Sequence, residues 1–275
     1  MATNSISGLI IDMDGVLWHG SHAMPGLVEF FQTLREQAIR FILATNNASL
    51  TPKQYVDKLA GMGVAVVEDE IMTSGIATAL YLQKHEEPAT TRVYVIGEDG
   101  AKEPLLERGF TLTELYQVNN DKTPNQGADI VVVGKDQTLT WDKLATATLN
   151  IRAGAKFIGT NADTMLPTEY GITHGNGAIL AALQAATGVT PTIIGKPEPI
   201  MYQEAMMLLG TAPEATIAIG DRLETDILGA IRTDIRSIMV LTGVSTQEDI
   251  KASGYGPTWI MQDIQAITQA LKDGF

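Results

Sequence analysis

The feature that most constrains this chain is an alternation of short β-branched apolar runs with helix-length amphipathic segments. Ser7 to Ile11, Phe41-Ile42-Leu43-Ala44, Val93 to Ile96, Ile130 to Val133, Lys156 to Ile158, Thr192-Ile193-Ile194, Thr216 to Ile219 and Ser237 to Leu241 read as strands. Pro25 opens a helical pattern in which Leu27, Phe30, Phe31 and Leu34 share one face. Thr51-Pro52 supplies an N-cap followed by a first helical residue, and Gly61 to Gly63 stops that helix. Further helices are expected from Ser74 onward, near Asp99 to Arg108, over Trp141 to Ala153 and Pro199 to Leu209, and from Glu224. This pattern is that of a parallel sheet covered by helices, an α/β fold. The middle of the chain is either an inserted second domain or more of one long sheet.

Composition excludes several functions. A chain of 275 residues, 45% hydrophobic and 19% charged, can bury a proper core. Its formal charge of -13 disfavours a nucleic-acid polymer as partner, because no basic surface would displace condensed counterions. A small anion remains allowed, since one divalent cation and one lysine reverse the field locally. The absence of cysteine removes disulfides and thiolate nucleophiles. Met1-Ala2-Thr3-Asn4-Ser5 lacks a basic n-region and no apolar run approaches membrane-spanning length, so the expectation is a cytoplasmic enzyme without a membrane partner.

Several of the expected strands end in polar residues, at the edge where open α/β sheets place their sites. The first runs into Asp12-Met13-Asp14-Gly15, the second into Thr45-Asn46-Asn47, and a later one into Gly220-Asp221. Ile194-Gly195-Lys196-Pro197 puts a lysine just after another β run. Phosphate-ester hydrolysis needs such a set. Asp12 and Asp221 offer carboxylates to Mg²⁺, which takes oxygen ligands. A carboxylate is also a nucleophile toward phosphorus, splitting one hard displacement into two through an aspartyl-phosphate. Asp14, two residues on, is placed to protonate the leaving alkoxide and later to deprotonate water. Thr45 and the amides of Asn46 and Asn47 offer donors to phosphoryl oxygens, and Lys196 adds a point charge. Asp226, five residues after Asp221, is expected one to two turns into the next helix, ordering metal-bound waters.

Each stretch alone has an ordinary explanation. Asp-x-Asp-Gly is a turn or cap signal, Thr45-Asn46-Asn47 a cap, Lys196 a solvated charge, and Gly220-Asp221 a turn into a helix start. It is their joint occurrence, in order and at strand ends, that favours chemistry over coincidence.

On Asp12-Met13-Asp14-Gly15-Val16-Leu17, Thr45, Lys196 and Gly220-Asp221-Arg222-Leu223-Glu224-Thr225-Asp226, the chain resembles the haloacid dehalogenase superfamily of hydrolases. Thr45-Asn46-Asn47-Ala48-Ser49, Gly159-Thr160-Asn161-Ala162-Asp163 and Leu241-Thr242-Gly243-Val244-Ser245 are similar to its NagD and 4-nitrophenylphosphatase branch. The resemblance runs nearly end to end. It implies a doubly wound, mostly parallel core over 1–79 and 191–275, with an α/β cap domain over 80–190 inserted between the threonine and the lysine. It implies Asp12 as nucleophile, Asp14 as acid and base, and Mg²⁺ held by Asp12, the backbone carbonyl of Asp14, and Asp221. Caps of this kind commonly mediate homodimerisation and supply specificity, which here points to Asn161, Asp163 and Leu166. Pyridoxal-phosphatase members carry a histidine at the position of Leu166, so the substrate tilts toward small aliphatic or sugar phosphates. Nucleoside monophosphates, phosphoglycolate and 4-nitrophenyl phosphate complete the candidate set.

Two rivals share these residues. A phosphoacceptor signalling module also places acids, a threonine and a lysine at strand ends, but it is far shorter and lacks an acid motif after the lysine. A mutase or a dehalogenase would use the same scaffold, although dehalogenation does not need Asp14. His19, His174 and Trp18 are assigned to exposed loop, solvent turn and packing respectively.

Overall fold

In a computed structural model of the chain, residues 6–119, 125–168 and 170–274 are described; the first five residues, on which the leader reading rests, lie outside them. The chain begins with β1 (Gly8–Ile11), the two-residue strands β2 (Trp18–His19) and β3 (His22–Ala23), α1 (Leu27–Glu36), β4 (Arg40–Thr45), α2 (Pro52–Gly61) and β5 (Ile71–Thr73). It continues through α3 (Ser74–His85), β6 (Arg92–Ile96), α4 (Asp99–Glu107), β7 (Thr111–Leu112), β8 (Ile130–Val133), α5 (Trp141–Arg152), β9 (Lys156–Gly159), β10 (Met165–Thr168), β11 (Gly171–His174), α6 (Asn176–Thr187) and β12 (Thr192–Ile193). It closes with α7 (Pro199–Leu209), β13 (Thr216–Gly220), α8 (Leu228–Arg232), β14 (Arg236–Val240), α9 (Gln247–Ser253), β15 (Trp259–Met261) and α10 (Ile264–Asp273).

The chain forms two compact units. The first holds residues 1–45, 52–72 and 196–275, the second 46–51 and 73–195. The helix α3, whose first residues the resemblance assigns to the core, packs against α4 and goes with the second unit.

The first unit is built on a six-stranded sheet of order β15-β14-β13-β1-β4-β5. The strand β1 pairs in parallel with β4 and β13, and Ile11 lies level with both Leu43 and Ile219. All four residues of β1 and all five of β13 are buried, as strands covered on both faces require. Later strands are added to one side of β1 as β4 and β5, and to the other as β13, β14 and β15. The winding therefore reverses between β1 and β13, and the crevice at the carboxyl ends of those strands is the expected ligand position. The helix α7 starts on Pro199, ends at left-handed Gly210 and packs on β1 and β4; α1 packs on α10. The elements α9, β15 and α10 have no counterpart in the sequence pattern described above.

The second unit carries a five-stranded all-parallel sheet, β12-β9-β8-β6-β7. Its core gathers Tyr94, Ile96, Val131, Val133, Ala147, Ile151, Phe157, Leu180 and Leu183, from the sheet, α5 and α6. Buried Asn150 accepts from the Ala128 N–H and donates to the Gln117 and Thr146 carbonyls, so its polar groups are matched. The antiparallel hairpin β10–β11, with Met165 opposite His174, is absent from the sequence expectations. His174 is exposed at the end of β11 rather than in a turn. Among the described residues no helix is long and apolar enough to cross a membrane.

Candidate active site

The carboxyl ends of β1, β4 and β13 deliver the polar residues of the first unit. Asp12 continues β1 by one residue, its N–H donating to the Ile219 carbonyl at 2.8 Å. Its Oδ1 accepts from Lys196 Nζ at 2.5 Å. Lys196, 4% exposed, also donates to Asp226 Oδ1 at 2.6 Å and to the Ala44 carbonyl at 3.1 Å. One ammonium thus bridges the nucleophile candidate, the acid after β13 and the end of β4. Thr45, buried, is the last residue of β4.

Asp221 follows β13 directly and is 1% exposed. Its Oδ2 accepts the Val244 N–H at 2.7 Å, and its backbone carbonyl accepts from Ser245. Its Oδ1 is buried without a hydrogen-bond partner. Two glycines make room for this carboxylate. A Cβ on Gly15 would lie 2.6 Å from Asp221 Oδ2, and one on Gly243 only 1.8 Å away. Gly15 also has φ +85, a conformation that L side chains rarely adopt.

Asp226 does not lie one to two turns along a regular helix. It sits in a wide π-type turn, Leu223–Ile227, which folds its carboxylate back onto Lys196 and the Arg222 N–H. The Tyr202 hydroxyl donates to its backbone carbonyl at 2.8 Å. Asp14 is exposed, and its Oδ1 accepts the Trp18 indole N–H at 2.7 Å.

Oxygens of Asp12, Asp221 and Asp226 lie within 4.8 Å of one another. Burial, reinforced by Asp226 and Asp221, holds the Asp12 carboxyl well above its usual range despite the opposing pull of Lys196. Asp221 is pushed up to about 6 by burial and by Asp226, against the Val244 N–H. Burial alone would lower Lys196, but Asp12 and Asp226 outweigh it and hold the ammonium well above its ordinary value. Three carboxylates face one ammonium, so the ionised cluster is short of positive charge. Together with the orphaned Asp221 Oδ1 and the all-oxygen donor set, this fits a divalent cation.

Asn46 and Asn47 belong to the second unit. Asn46 donates to Asp163 Oδ1 at 3.2 Å, and its carbonyl accepts from Ser74 Oγ and Asn161 Nδ2. Asn47 Oδ1 accepts the Ser49 N–H. Asn161 is buried, with Oδ1 accepting the Asp163 N–H, so it braces the loop that carries Asn46. Leu166 is half-buried on β10, opposite Thr173.

The residues that composition and spacing did not single out are backbone donors and second partners: Val244 N–H, Tyr202 and the Trp18 indole. A main-chain donor leaves no side-chain signature, although Gly243 after a strand hinted at close approach.

The core is doubly wound, with an aspartate–lysine cluster at its switch point, where open α/β sheets bind their ligands. The sequence matches the haloacid dehalogenase-like hydrolase family over residues 9–111 and the HAD-hydrolase-like family over 193–267. It is 38% identical over 251 residues to 5'-nucleotidase YutF of Bacillus subtilis, covering 91% of this chain and 93% of that protein. It is 37% identical over 263 residues to an acid sugar phosphatase of Staphylococcus saprophyticus, covering 96% and 97%. The structure of NagD from E. coli K-12 matches with a TM-score of 0.84 at 33% identity, over 94% of this chain and 97% of that one. The chain belongs to the haloacid dehalogenase-like hydrolase family.

Proposed function

We propose that this protein hydrolyses small phosphate monoesters, sugar phosphates and nucleoside monophosphates foremost, through a phosphoryl group carried on Asp12. The observation that carries the reading is the clamped Asp12, tied by Lys196 through Oδ1 beside the unpartnered Oδ1 of Asp221. The names of its relatives, a 5'-nucleotidase and an acid sugar phosphatase, support the substrate class.

An oxygen of Asp12 attacks phosphorus while the bond to the leaving oxygen breaks, and Asp14 delivers its proton to that oxygen. Water then attacks phosphorus, Asp14 takes up its proton, and the acyl-phosphate P–O bond breaks to release inorganic phosphate and restore the Asp12 carboxylate. Lys196 keeps Asp12 oriented and adds fixed positive charge, and Thr45 contributes a hydroxyl to a phosphoryl oxygen. Asp12, Asp221 and the backbone carbonyl of Asp14 would hold Mg²⁺. The bound cation supplies the charge neutralisation that lets a carboxylate approach a dianionic ester. Asp226 orients this set through Lys196.

The test is phosphate release from both ester classes by the parent and by Asp12→Asn, each with Mg²⁺ and after chelation. Asp12→Asn is expected to lose about 10⁵-fold or more in kcat. A variant within tenfold of the parent, or full turnover after chelation, would overturn the reading.

A further inference from the structure

Trp18 does more than fill the core. The turn from Asp14 to Trp18 is tightly closed: the Gly15 N–H donates to the Trp18 carbonyl at 2.9 Å, and Leu17 N–H to the Met13 carbonyl at 2.8 Å. The indole is completely buried, lies 6.4 Å from the Tyr55 ring at an interplanar angle of 23°, and has Lys58 Nζ 4.1 Å from its centroid on α2. From this fixed ring Nε1 donates to Asp14 Oδ1 at 2.7 Å, and Asp14 is otherwise exposed. An indole nitrogen is a donor only. The bond is strongest to the more basic, unprotonated oxygen, so a proton carried by Asp14 is favoured on Oδ2.

We propose that Trp18 is a positioning residue for proton transfer: its N–H fixes the Asp14 carboxylate in one orientation and reserves Oδ2 as the oxygen that gives up and takes back the proton. Without it, an exposed carboxylate rotates freely and offers its proton in the productive direction for only part of the time. This inference rests on the reading of Asp14 as the proton donor in Proposed function.

Leaving-group dependence separates this role from a structural one. A 4-nitrophenolate departs with little protonation, whereas the alkoxide of glycerol phosphate or a sugar phosphate must be protonated as it leaves. Values of kcat/KM, which report the steps through cleavage of the ester, are measured for Trp18→Phe and Asp14→Asn with an aryl and an alkyl ester. General acid catalysis contributes about 10²–10⁴-fold, so Trp18→Phe is expected to lose about ten- to a hundredfold on the alkyl ester and under about threefold on 4-nitrophenyl phosphate. Asp14→Asn should show the same asymmetry, more strongly. If Asp14→Asn weakens both esters alike, the proton-donor reading fails. If Asp14→Asn discriminates but Trp18→Phe weakens both equally, or neither, the positioning role is refuted. Should Trp18→Phe not fold, β-(3-benzothienyl)alanine at position 18 keeps the ring shape and deletes only the N–H; the same asymmetry is expected, and its absence overturns the proposal.

Discussion

Removing the buried charge of Asp221 should stabilise this protein. Asp221 is almost fully buried beside Asp226, and its pKa is pushed up to about 6, first by burial and then by that neighbour. In the unfolded chain an aspartate titrates near about 3.9. The folded state therefore binds this proton more tightly than the unfolded state. The stability linked to it is fully present below about pH 4 and is lost as pH rises through about 6. A gap of about two between the folded and unfolded pKa values corresponds to about 3 kcal/mol lost by neutral pH. Asp221→Asn removes the charge yet keeps an oxygen for the Val244 N–H. Without metal at pH 8 the variant should be more stable than the parent by about 3 kcal/mol, or about 6–12 °C in Tm for a chain of this size. The gap should close toward pH 4. Mg²⁺ should raise the Tm of the parent and leave the variant nearly unchanged, reversing or erasing the order. Calorimetry in chelator at pH 4, 6 and 8, then with Mg²⁺, provides the measurement. A variant less stable than the parent at pH 8, or a gap that does not change with pH, would refute the reasoning.

Lys196→Met should cost about 3–5 kcal/mol, because Asp12 and Asp226 are left buried without their shared cation; chemical denaturation and phosphate release should fall together. Gly243→Ala would force a methyl group to 1.8 Å from Asp221 Oδ2, so about 1–3 kcal/mol and most of the turnover should be lost, measured by urea unfolding and kcat. Gly61→Ala, where an added Cβ meets nothing within 4 Å, should leave both unchanged or slightly improved.

The part of the fold that was legible is the part where one physical requirement acts on consecutive residues. The strands β1, β4 and β13 lie near the sheet centre, so Leu9-Ile10-Ile11, Phe41 to Ala44 and Ile217-Ala218-Ile219 are unbroken apolar runs, and polar Asp12, Thr45 and Asp221 stand out where the runs stop. The sheet sets Ile11 level with Leu43 and Ile219, which brings those stops to one edge. The hairpin β10–β11 was not legible because Met165-Leu166-Pro167-Thr168 contains a proline and no alternation. The strand β15 was missed for a similar reason: Trp259-Ile260-Met261 is short and half-exposed at the sheet edge. Five-residue spacing from Asp221 fits a regular helix as well as the wide turn that holds Asp226. The Asp14–Trp18 bond was hidden because an aromatic in an apolar stretch reads as packing, and its N–H becomes informative only once the turn is closed.

The most direct measurement of the central claim is rapid acid quenching of the parent during turnover of a ³²P-labelled ester, followed by peptide mapping. The label should appear transiently on the peptide containing Asp12, in a form cleaved by hydroxylamine as an acyl phosphate is, and should be absent from Asp12→Asn. Turnover that proceeds with no protein-bound label at any quench time, or label on another residue, would contradict the account.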